Sequence, residues 1–84
     1  MERYFFHTED GRSHLDEEGI ELDTPTAAKI EAVRMMGEML RDRARHFWDT
    51  QAMRVIVTDE TGLILFVLGL CAFEAPALAV CRRA

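Results

Sequence analysis

The sequence predicts an α+β domain: an antiparallel sheet of about four strands in the order ββαββ, with one long helix packed on one face. Three observations lead there. A chain of 84 residues holds one domain and no more. One central stretch repeats its apolar residues at steps of three and four, which is helical spacing. The runs on either side are short, rich in aromatic or β-branched residues, and end in Asp, Glu and Gly, which is strand and turn chemistry.

Arg3-Tyr-Phe-Phe-His7, ahead of Glu9-Asp10-Gly11, reads as the first strand and its turn. Tyr4 and Phe6 point to one face, Phe5 and His7 to the other. Residues 13–16 return as a second strand with Leu15 inward. Asp16-Glu-Glu-Gly19 then makes a turn or bulge, and Ile20-Glu-Leu22 resumes the alternation. Thr24 is a good N-cap, and Pro25 suits the first helical position. From there Ile30, Val33, Gly37, Leu40, Ala44 and Phe47 define one face, widened by Ala32, Met36 and Met39, of a helix over residues 25–47. Arg34, Glu38, Arg41 and Arg45 lie on the side away from it. Met53-Arg-Val-Ile-Val-Thr58 is the third strand, Asp59-Glu-Thr-Gly62 a hairpin loop, and residues 63–73 the last strand. Both faces of that last strand are apolar, where a sheet with one face in water alternates with polar residues. The domain therefore spans residues 1–74, and 75–84 is a tail in which Pro76 ends any strand.

The net charge is -5, and residues 1–23 carry eight acids against two bases. That balance argues against non-specific nucleic-acid binding, which needs clustered Lys and Arg. Cys71 and Cys81 are neither a zinc pattern nor a disulfide framework. With no apolar run among the first ten residues, the expected setting is the reducing cytoplasm, with both thiols free. A membrane span over residues 63–81 is the competing reading of the last third. Glu74 and Pro76 inside the run, Gly69 and the turn before it argue against it.

Five segments carry a resemblance: Tyr4-Phe-Phe-His7, Asp10-Gly11, Asp16-Glu-Glu-Gly-Ile-Glu21, Ala27-Ala28 through Glu31-Ala32, and Val55-Ile-Val-Thr-Asp-Glu-Thr-Gly62. Their order resembles a bacterial family catalogued as domain of unknown function 6894. Phe73-Glu74 is similar to that family's strand ending, so the likeness covers residues 1–74. It implies a small α+β fold and no assigned activity, so no catalytic residue carries over. The chain departs from the family where its fourth strand lacks polar residues and in its tail.

No residue stands out as catalytic, cofactor-binding or metal-ligating. Asp16, Glu17 and Glu18 with Glu9 and Asp10 lack the alternating ligand spacing of a calcium loop and read as a solvated turn. His7, His14 and His46 have no cysteine or histidine at zinc spacing and no paired nucleophile. Arg34, Arg41, Arg43, Arg45 and Lys29 are interrupted by Glu31, Glu38 and Asp42, which suits a solvated helix face. Phe47 and Trp48 read as lids on the core. The expected role is a non-enzymatic interaction module acting as a homodimer through its sheet. The alternative is an antitoxin-like or regulatory protein, because domains of the HicB type have a similar build, which is analogy of fold alone.

Overall fold

The computed structural model describes residues 1–77. Five strands and two helices follow in the order β1 (Glu2–Glu9), β2 (Ser13–His14), β3 (Ile20–Leu22), α1 (Pro25–Asp42), α2 (Ala44–Thr50), β4 (Ala52–Thr58) and β5 (Ile64–Cys71). All pairings are antiparallel. β4 lies between β1 and β5, while β2 and β3 share the far edge of β1. The second strand is thus two short pieces, β2 on Thr8 and Glu9 and β3 on Glu2 to Tyr4. The gap between them leaves Leu15 in a loop, 75% exposed rather than inward.

Register places Phe6 opposite Val57 and Val57 opposite Phe66, so these side chains share a face. Tyr4, Phe6, Met53, Val55 and Val57 are buried on that face against Ala28, Ala32, Met36 and Phe47 from the helices. Burying nine apolar side chains on one side of the sheet is the main stabilising term. The opposite, open face carries Phe5, His7, Ile56, Val67 and the Glu9–Arg54 ion pair.

α1 starts where its capping residue dictates: Thr24 Oγ1 accepts the Ala27 N–H at 3.1 Å. Two expectations for this helix are corrected. It does not run unbroken to Phe47; it stops at Asp42, and the chain turns at Arg43 into α2. Its buried stripe is Ala28, Ala32 and Met36, with Met35, Met39 and Leu40 packed beside them. Ile30 and Val33, expected inward, are 50% and 60% exposed. Alanine at the two closest positions lets the helix axis sit low over the strands, and the bulkier β-branched residues are turned off that line. Phe47 is buried as expected, but its edge-on neighbour Trp48 is exposed.

β4 and β5 join through a loop closed around Asp59. Its Oδ1 accepts the Thr61 N–H at 2.8 Å, the Thr61 hydroxyl at 2.6 Å and the Leu63 N–H at 3.0 Å. Gly62 takes a φ of +89° there, which favours glycine. Just past the loop the register slips between Val57 and Thr58, so Ile64 faces Thr58. This bulge moves Ile64 to the open face and away from the side of Phe66 and Leu68. The expected tail over 75–84, with Cys81, lies from residue 78 onward outside the described residues. Among the described residues no helix is long and apolar enough to cross a membrane, and residues 64–71 are a strand.

Candidate functional site

Titratable side chains gather at the corner where the β1–β2 turn meets the α1–α2 break. Asp10 is 1% exposed, and one of its carboxylate oxygens pairs with the Arg43 guanidinium. The His46 ring donates through Nε2 to the Asp10 carbonyl at 3.1 Å, since a carbonyl only accepts. Gly11 has a φ of +97°, and a Cβ on it would stand 2.7 Å from the Thr50 methyl. The turn is therefore fitted against α2 at a point where only glycine is small enough. Burial alone would raise the Asp10 pKa, but the Arg43 charge and hydrogen bond outweigh it and hold the carboxyl below its ordinary value. Among the described residues its other oxygen, Oδ1, is buried without a hydrogen-bond partner. Arg12 and His14 join Asp10, Arg43 and His46 around a shallow hollow. This corner binds two chain segments together.

The second polar group fills the gap between β2 and β3. Asp16 Oδ2 accepts the Phe6 N–H at 3.1 Å, while Oδ1 accepts the N–H groups of Glu18 and Gly19. The carboxylate thus replaces the missing strand partner of β1. Burial pushes its pKa up, but the three backbone donors win, and the carboxyl stands below its ordinary value. The Asp16 N–H donates to His7 Nδ1 at 3.0 Å, so that nitrogen carries no proton. Nε2 then carries it and donates to Thr58 Oγ1 at 3.1 Å. His7 lies flat beside Phe5, ring centres 6.5 Å apart. Arg3 closes the same edge by donating to the Glu18 carbonyl and the Glu21 carboxylate.

Asp10 and Asp16, read from sequence as solvated, thus prove to be structural anchors. Glu17 and Glu18 are exposed. The outward bases of α1 are interleaved with acids: Arg34 lies 3.9 Å from Glu31, and Arg41 lies 3.7 Å from Asp42. His14 and His46 meet at the hollow beside Asp10 while His7 lies apart at the Asp16 group, and among the described residues no three His, Cys, Asp or Glu side chains converge as a metal site would need. The Cys71 thiol is free and exposed at the end of β5.

The largest departure from an ordinary soluble surface is β5 itself. Leu63, Ile64, Leu65, Val67 and Leu70 expose between 39% and 63% of their surface, and no charged residue lies between them. The helices reach Phe66 and Leu68 only in part.

A family model for a domain of unknown function, numbered 6894, matches residues 3–71. The chain belongs to that family. No curated protein and no solved structure matches it. The domain of unknown function 6894 match runs from the second residue of β1 to the end of β5, so it takes in both anchors and every described strand. Within it, Tyr4-Phe-Phe-His7 supplies two core rings and the stacked pair on the open face. Asp10-Gly11 makes the buried corner, Asp16 to Glu21 the gap-filling loop, and Ala28 with Ala32 the close approach of helix to sheet.

Proposed function

We propose that the chain is a non-enzymatic interaction module that works as a homodimer joined through its sheet. One observation carries this reading: the helices cover one face of the sheet, and β5 stays apolar on both sides and in contact with water. Soluble monomers seldom leave a contiguous patch of more than a few hundred Å² in that state. A second copy covers it and also enlarges the thin core of so small a domain.

The absence of an enzymatic role is part of the same proposal. The corner at Asp10 spends its carboxylate and guanidinium on each other, and both polar groups of the fold hold backbone in place. A free Cys71 thiol suits a reducing cytoplasm. Light scattering at micromolar concentration, in reductant so that Cys71 does not cross-link, tests the proposal. The expected mass is twice that of the 9.6 kDa chain. A 9.6 kDa species at every concentration would overturn it.

A further inference from the structure

The two edges of the sheet are built in opposite ways. The edge formed by β2 and β3 is cut into pieces of two and three residues, with the acids Asp16, Glu17 and Glu18 in the gap. Short pieces and charges are how proteins prevent edge-to-edge pairing. The other edge, β5, is eight residues long and carries no charge and no proline.

Its hydrogen-bonding phase is set at its end. The Ala72 N–H donates to the Gln51 carbonyl at 2.9 Å. In an antiparallel ladder, bonded pairs alternate, so Leu70, Leu68 and Phe66 share their amides with Met53, Val55 and Val57. The N–H and C=O groups of Val67, Gly69 and Cys71 therefore point outward from the sheet.

The helix also leaves room beside this edge. Met35, Glu38, Met39 and Asp42 line a hollow with Thr8 and His14, so that flank of α1 leans towards β2. At 100° per residue the opposite flank, with Val33, Met36 and Leu40, is turned towards β5. Phe66 and Leu68 are only partly covered by the core cluster, so the core-facing row Phe66, Leu68 and Leu70 stays partly open at the free edge.

We propose that β5 pairs antiparallel with β5 of a second copy, about a twofold axis near Leu68 and Gly69, joining the two sheets into one. This rests on the homodimer reading and states how the dimer is made. An uncharged strand crossing its own copy brings no like charges together, and a twofold contact makes the patch its own complement. Pairing covers the outward N–H and C=O groups of the edge and the flanks of Leu65, Val67 and Leu70, which are 39–49% exposed. Joining the edges sets the Phe66, Leu68 and Leu70 rows of the two copies side by side on the helix side of the sheet, which stacking of open faces would leave wet.

The test measures mass by light scattering and amide exchange by NMR on the full chain in reductant. In the wild type, the Val67, Gly69 and Cys71 amides should exchange slowly at high concentration and at least tenfold faster on dilution. Gly69→Pro deletes an outward N–H where the nearest atom to a new Cβ is 3.8 Å away. Val67→Lys sets a charge beside the axis. Both should halve the mass while circular dichroism stays that of the wild type. A wild type that is monomeric overturns this inference and the homodimer reading together. A dimer that survives both edge variants, leaves those three amides in fast exchange and is lost in Ile56→Lys overturns the edge pairing alone and assigns the open face. If the edge variants fail to fold, the amide exchange of the wild type decides by itself.

Discussion

Removing Arg43 and removing Asp10 have unequal costs, because the two ends of their ion pair are buried unequally. The Asp10 side chain is 1% exposed and that of Arg43 45%. Arg43→Ala leaves a buried carboxylate without its countercharge and should cost about 3–5 kcal/mol. Asp10→Asn leaves a guanidinium that water still reaches and should cost about 1–3 kcal/mol. Urea unfolding at neutral pH measures both, and the reverse ranking would mean that the carboxylate is not the dependent partner. Asp16→Ala strands the Phe6 N–H in the gap between β2 and β3, with an expected loss of about 1–3 kcal/mol. Asp10, Asp16 and Asp59 all hold their carboxyls below the ordinary value of 3.8, the last chiefly through the Thr61 hydroxyl. A depressed folded-state pKa contributes stability that is present above 3.8 and lost as pH falls through the folded values. The urea midpoint should therefore fall on acidification below about pH 4, and fall less in Asp16→Ala. The Asp16 turn was legible in sequence, since an Asp three residues before a glycine is a turn in its own right. The buried role of Asp10 was not, because its partner lies 33 residues away and no local pattern points to it.

At the scale of elements, the core stripe of α1 is open to direct test. Met36→Ala should cost about 2–5 kcal/mol, and Ala32→Leu about 1–3 kcal/mol by overpacking. Ile30→Ala should stay within about 0.5 kcal/mol, as exposed substitutions do. Thermal melts rank them, and a large loss at Ile30 would restore the face the spacing suggests. The sequence misleads here for a physical reason. Apolar residues occupy more than half the circumference of α1, so periodicity alone has two stripes to choose between. The eye goes to Ile30, Val33 and Leu40, while packing distance favours Ala28 and Ala32, which bring the backbones closest. The strands were easier to place: the alternation of Tyr4, Phe5, Phe6 and His7 survives intact in β1, since a period of two leaves no second choice of face. The break at Arg43 has no local marker, and the partner that Arg43 meets there, Asp10, lies 33 residues away in sequence.

For the molecule as a whole, association and stability should be linked. If folded chains pair and unfolded ones do not, the melting temperature rises with protein concentration. A tenfold dilution series by calorimetry should show that drift, and Gly69→Pro should abolish it. A melting temperature independent of concentration in the wild type would separate the exposed β5 from any self-association. The sheet order has one more consequence, for folding during synthesis. β1 is made first, yet its partner β4 follows both helices. Until Met53, Val55 and Val57 emerge, the helices have only β1 and its short neighbours to close upon, so a chain halted after Thr50 has no complete core. Loop closure across the whole helical segment must precede the β1–β4 ladder, which makes it the slow step. The β4–β5 hairpin, by contrast, closes locally through Asp59. Of the described strands β5 is therefore the last to be made and the quickest to find a neighbour, so this apolar segment spends little time alone.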